Sequence, residues 1–163
     1  MQQALESGEK ATYHAVSLSG GKDSTCLLLL MIERGMPIDA VLTADTGMEF
    51  PEMYDHLRRL DALLHRERGI HLTVLRHPKS FEWLMFEEPK QKSSSIENRN
   101  RMGVVTRGNG WPGIKVRWCT GQLKTHLISK EVNRLKQEKN AIHYVGIEHQ
   151  VFTLIVLIFL LCH

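Results

Sequence analysis

The sequence predicts an α/β domain with a mostly parallel sheet flanked by helices, on three observations. Short apolar runs alternate with helix-period segments in the order βαβαβ(α), loop, αβ, the pattern of strands joined by right-handed helical crossovers. A glycine pair, Gly20 and Gly21, stands between the first such run and the first helix. At 163 residues, the chain has the length of about one domain.

"HAVSLS" (14–19) is a strand candidate ending in small residues. "STCLLLLMIER" (24–34) is apolar nearly all round, as a buried helix is, and Gly35 closes it. "AVLTAD" (40–45) is a second buried strand. Pro51 and Glu52 then make a first helical turn, and Met53, Leu57, Leu60 and Leu64 form one amphipathic face. "IHLTVLR" (70–76) alternates weakly as a third strand, and "SFEWLMF" (80–86) suggests a short helix. Residues 87–118 lose periodicity and gather Ser, Asn, Gly and Arg, which marks a long loop. Leu123, Leu127, Val132 and Leu135 restore a helical stripe with lysines opposite, and "AIHYVGI" (141–147) is the fourth strand.

Residues 1–10 are polar and aperiodic, without the basic-then-apolar order of a secretory signal, so a loose N-terminal segment and the cytoplasm are the default expectations. Residues 11–150 form the domain. The three cysteines, Cys26, Cys119 and Cys162, are an odd number without C-x-x-C spacing, so neither a disulfide framework nor a four-thiolate zinc or iron–sulfur site is encoded. The nine histidines lack metal-ligand spacing. Formal charge is +3, but Lys90 to Arg117 holds seven basic residues against Glu97 alone. Charge so localised suits one anionic ligand or contact patch, with a solvated loop as the alternative. Trp111 and Trp118 flank this loop. Each is expected in the core, with stacking on a base as the alternative.

The run "SGGKDS" (19–24) lies in the turn after the first strand, at the carboxyl edge where open α/β sheets bind ligands. Glycines there admit positive φ and let main-chain N–H groups approach an anion. The helix N-terminus supplies partial positive charge, Lys22 a full one, and Ser19 and Ser24 supply hydroxyl donors. Pyrophosphate suits such a site. It is not a Walker A loop, because Val16 and Asp23 stand where that pattern needs a glycine and a hydroxyl.

"SGGKDS" resembles the PP-loop of the ATP pyrophosphatase superfamily, whose fold is the adenine nucleotide alpha hydrolase-like domain. With "TADTGMEFPEMYDHL", "RWCTGQLK" and "YVGI" following in order, residues 13–147 resemble its phosphoadenosine phosphosulfate reductase branch. The resemblance implies a bound adenine nucleotide, either ATP or an adenosine sulfonucleotide. It places Ser19, Gly20, Gly21, Lys22, Asp23 and Ser24 around phosphates, Asp45 and Thr46 near the adenosine, Arg117 and Lys124 at the anionic end, and Gly146 beside the nucleotide. Lys22, Asp23 and Cys119 are its candidate catalytic residues, and Asp23 and Asp45 would hold magnesium if ATP is the substrate. Asp45 could instead simply cap its strand, and Cys119 could be a small buried residue rather than a thiolate activated by a helix start and Arg117.

Two reactions are consistent with this pattern, and a non-catalytic nucleotide-binding remnant is a third reading. In one reaction, ATP is cleaved between its α- and β-phosphates and adenylyl transfer follows, with sulfur transfer and an anionic second substrate such as nucleic acid in view. In the other, a cysteine reduces a sulfonucleotide with thioredoxin or glutaredoxin. The sequence departs from the second, since Cys119 is followed by Thr120 where the iron–sulfur subgroup pairs cysteines, and the Glu-Cys-Gly-Leu-His tail of other reductases is missing. Residues 151–162 are eleven-twelfths apolar, yet as a helix they rise only about 18 Å against a hydrocarbon core of about 30 Å, so no membrane span is expected. The resemblance stops at Ile147. A domain incomplete at its C-terminus, truncated or frameshifted after codon 147, with residues 151–163 as an apolar tail, is therefore the expectation; a buried terminal strand or helix is the alternative.

Overall fold

A computed structural model describes residues 12–89, 107–149 and 153–159. The expected loose N-terminus, loop residues 90–106 and Cys162 lie outside the described residues. Strands β1 (Thr12–Ser17), β2 (Ala40–Asp45), β3 (Leu72–Arg76) and β4 (Asn140–His149) are parallel, and β5 (Thr153–Phe159) runs antiparallel to β4. The sheet order is β3-β2-β1-β4-β5. The chain thus leaves β1 in one direction for β2 and β3, and returns on its other side as β4. That reversal opens a crevice at the carboxyl end of β1.

Both faces of the central strands β1 and β2 are covered, so their middle residues are buried on both sides, whereas Val74 on the edge strand β3 is half exposed. Helices α1 (Lys22–Glu33) and α2 (Pro51–Arg68) cover one face, where Leu27, Leu28, Met31, Leu60 and Leu64 pack on Val16, Leu18, Val41 and Tyr144. Each such buried aliphatic side chain contributes about 1.5–3 kcal/mol. Helix α1 ends where Gly35 takes φ 65°, as its sequence position predicts. The α2 face is also as expected: Leu60 and Leu64 are buried and Leu57 packs beside them.

The alternate residues Ala15, Ala40 and Leu42 face the other way, against Val132 and Leu135 of the last helix. That helix departs from its expected form. A short helical turn α4 (Trp118–Thr120) passes through a π-helical turn (Gly121–Thr125) into α5 (His126–Glu138). The wider i→i+5 turn moves the packed position after Leu123 from the expected Leu127 to Ile128. Helix α3 (Phe81–Phe86), capped by Ser80 Oγ accepting the Trp83 N–H at 3.1 Å, builds a third cluster: Phe81, Leu84 and Met85 with Trp118 and Leu123.

β1 starts and ends two residues before its expected range. The Leu18 N–H still bonds the Leu42 carbonyl at 2.8 Å, but the Ser19 N–H turns to Ser24 Oγ, which begins the loop.

Candidate functional site

A cavity of about 840 Å³ opens at the carboxyl edge of β1, β2 and β4. Its wall includes Ser17, Ser19 and Ser24, Asp45 and Glu49, Tyr54 and Arg58 of α2, Arg76 of β3, Lys124 of the π turn, and His143 and Gly146 of β4.

The Ser19–Ser24 loop is held by its own hydroxyls. Ser24 Oγ accepts the Ser19 N–H at 3.1 Å and lies 3.0 Å from Ser19 Oγ and 3.1 Å from the Gly21 carbonyl; Ser19 Oγ accepts the Gly21 N–H at 3.3 Å. Gly20 has φ 78°, a left-handed conformation that calls for glycine, whereas the neighbour a Cβ would meet, Met53 Sδ, is the end of a flexible side chain that can move aside. Gly21 is the N-cap of α1, without a side-chain cap bond. The first turn of a twelve-residue helix therefore ends on this loop, with partial positive charge at its mouth.

Gly146 has a packing role that the sequence reading did not foresee. A Cβ on it would lie 2.6 Å from the Asp23 carbonyl oxygen and 3.0 Å from Ser24 N. Its bare Cα lets the start of α1 sit directly on β4, which fixes the loop at the crevice.

Asp45 ends β2 and is committed on both oxygens. Oδ1 accepts the Gly47 N–H at 2.8 Å and the Tyr54 hydroxyl at 2.9 Å, and Oδ2 accepts Arg76 Nε at 2.8 Å. Burial pushes this carboxyl up, but the Gly47 N–H, Tyr54 and Arg76 outweigh it and hold the group below its ordinary value. Burial and the Asp45 contact in turn push the Tyr54 phenol up. Thr46 Oγ1 donates to Glu49 Oε1 at 3.2 Å, and Lys124 Nζ reaches the same oxygen at 2.8 Å, tying the π turn to the β2–α2 loop. On the α5 side of the sheet, Ser17 Oγ and His143 Nε2 are 2.7 Å apart; burial, assisted by Lys136, holds the imidazole below its ordinary value.

Ser19, Ser24, Asp45, Lys124 and Gly146 thus share one cavity. Thr46 lines a neighbouring depression with Asp45, and Gly20 and Lys22 line a shallow surface with Cys26 and His56. Lys22 Nζ is 3.1 Å from Asp23 Oδ1. Gly21, Asp23, Arg117 and Cys119 are not in the cavity wall. Arg117 is exposed, and Cys119 packs against the Phe81–Trp118 cluster. The two tryptophans divide: Trp118 is buried and donates Nε1–H to the Gly110 carbonyl at 3.0 Å, whereas Trp111 is 75% exposed, contrary to its expected core placement.

Sequence reasoning missed Glu49, Tyr54, Arg76 and the Ser17–His143 pair. Tyr54 had a usable signal, lying nine residues from Asp45 on the first turn of α2; the others meet only through tertiary packing. Among the described residues no group of three or more His, Cys, Asp and Glu is placed to hold a metal ion, and no helix is long and apolar enough to cross a membrane.

No curated protein matches the sequence. The family model for the phosphoadenosine phosphosulfate reductase domain matches residues 13–108, the stretch that runs from β1 through the Ser19–Ser24 loop, Asp45 and α3. A match over more than half of the chain, on a sheet whose crevice carries that loop, shows that this protein belongs to the phosphoadenosine phosphosulfate reductase domain family.

Proposed function

We propose that the cavity binds an adenine nucleotide, ATP or an adenosine sulfonucleotide, with its phosphates on the Ser19–Ser24 loop, and that the chemistry falls on the α-phosphate. The observation that carries this reading is the loop itself. Its paired hydroxyls, its positive-φ glycine and the N-terminus of α1 meet at the rim of a cavity that also holds Arg58, Arg76 and Lys124. Family membership ties the chain to sulfonucleotide chemistry.

In the adenylyl-transfer form, a nucleophile on an anionic second substrate attacks the α-phosphorus, the bond to the bridging oxygen breaks, and pyrophosphate leaves. The helix N-terminus and Lys22 stabilise the charge that gathers on the leaving group. Lys124 and Arg117, on the segment leading into α5, attract the second substrate. Cys119 fits reduction less well, because it lies against the aromatic cluster rather than in the cavity wall.

A protein-held magnesium ion does not fit the residues present. Both Asp45 oxygens already accept hydrogen bonds, one of them from the Arg76 cation, and Asp23 faces Lys22. Magnesium would enter as part of the Mg·ATP substrate, on the nucleotide's own phosphates.

The discriminating assay offers Mg·ATP with hydroxylamine as acceptor and, separately, a sulfonucleotide with thioredoxin and dithiothreitol. Pyrophosphate and adenylylated hydroxylamine in the first reaction, with no sulfite in the second, is the expected result. Sulfite release that depends on Cys119 would establish reduction instead.

A further inference from the structure

The stretch from Arg107 to Lys130 contains no acidic residue and carries Arg107, Lys115, Arg117, Lys124 and Lys130. Its outer part is firmly built. Asn109 N–H bonds the Leu84 carbonyl at 2.9 Å, Gly110 N–H bonds that of Met85 at 3.0 Å, and buried Trp118 holds the Gly110 carbonyl. Gly113 and Val116 exchange main-chain bonds at 3.2 and 3.1 Å, closing a tight tip. On that tip Trp111, Ile114 and Val116 are 75%, 98% and 56% exposed, with Lys115 and Arg117 exposed among them. A braced loop that presents an indole and two aliphatic side chains to water between cations is shaped for a ligand with flat apolar faces and negative charge. The cations also continue along the chain, through Arg117, to Lys124 in the cavity wall. Negative charge repeated along a flexible strand matches cations that recur along one segment and include a member of the cavity wall.

We propose that Trp111–Arg117 is a docking platform for single-stranded nucleic acid, with a base stacked on Trp111 and phosphates on Lys115, Arg117 and Lys124. That the bound strand is the second substrate rests on the nucleotide-site reading; the docking itself does not.

The test is fluorescence anisotropy of a labelled oligothymidylate with the full chain. Three phosphate contacts give a log–log salt slope of about −2, or roughly 20-fold weaker binding between about 50 and 200 mM salt. Trp111→Ala weakens binding about 5- to 150-fold, the range for one stacked base, and Trp111→Phe recovers most of it. Lys115→Ala with Arg117→Ala flattens the slope by about 1.4. ATP binding by Trp111→Ala stays at the wild-type value, which shows that the fold and the nucleotide site are intact. Conversely, Lys22→Ala leaves oligonucleotide affinity near wild type, so failure of the nucleotide reading would not be mistaken for failure of the platform. Oligonucleotide binding that ignores Trp111→Ala or salt overturns the proposal. So does no oligonucleotide binding, including the case in which phosphatidylserine vesicles are bound instead, which would make the tip a membrane contact.

Discussion

Gly146→Ala tests whether the start of α1 rests on β4 as described. The added Cβ would stand 2.6 Å from the Asp23 carbonyl oxygen, 2.9 Å from its carbon and 3.0 Å from Ser24 N, against an ordinary contact beginning near 3.4 Å. The obstacle is helix backbone rather than the end of a flexible side chain, so the first turn of α1 must lift by several tenths of an ångström. Overpacking of this kind costs about 1–3 kcal/mol. With a urea m-value of about 2 kcal/mol/M, the unfolding midpoint falls by roughly 0.5–1.5 M. The same displacement moves the Ser19–Ser24 loop, so ATP affinity falls as well. Urea titration followed by circular dichroism, with calorimetric ATP binding on the same samples, reads both effects. A variant with an unchanged midpoint and unchanged affinity would refute the contact between β4 and the loop.

Asp45→Asn keeps an acceptor for the Gly47 N–H but weakens the bond to Arg76, and costs about 1.5–3 kcal/mol in urea unfolding. Because the Asp45 carboxyl is held below its ordinary value, its contribution is present above about pH 3.9 and is lost as pH falls through the lower folded value; the acid limb of wild-type stability flattens in Asp45→Asn. His143 is likewise depressed, by burial, so it favours the native state fully above about pH 6.5 and loses that contribution as pH falls toward its folded value. His143→Gln removes this slope from melting temperatures measured across that window. Lys124→Ala breaks a half-exposed pair with Glu49, so stability changes by only about 0–1 kcal/mol, while binding of oligothymidylate, measured by fluorescence anisotropy, weakens.

Much of the frame was legible in the sequence because its causes are local. The β2 range follows from a short run, apolar but for Thr43, that ends in Asp45, the start of α2 from Pro51, and the end of α1 from Gly35. The loop was legible because Gly20, Gly21 and the two serines each have one physical use at a strand-to-helix turn. What was hidden depends on distant partners. Trp111 and Trp118 are alike as letters, and only the position of Phe81, Leu84 and Met85 decides that one is core and the other surface. The π turn shifts the packed face to Ile128, although the spacing of Leu123 and Leu127 fits a regular helix. Arg76 meets Asp45 because β3 pairs with β2 in one register, and His143 meets Ser17 because β4 lies beside β1. No sequence pattern carries those registers.

The central claim is that the Ser19–Ser24 loop is a phosphate site for an adenine nucleotide. Isothermal titration of the non-hydrolysable analogue AMP-CPP into wild type and Lys22→Ala, at one fixed salt concentration, tests it most directly. The account predicts one site per chain in wild type and an affinity lower by roughly 10- to 150-fold in the variant, the value of one charge-assisted contact of about 1.5–3 kcal/mol. Equal affinities in the two proteins, or no binding by a folded wild type, would contradict it.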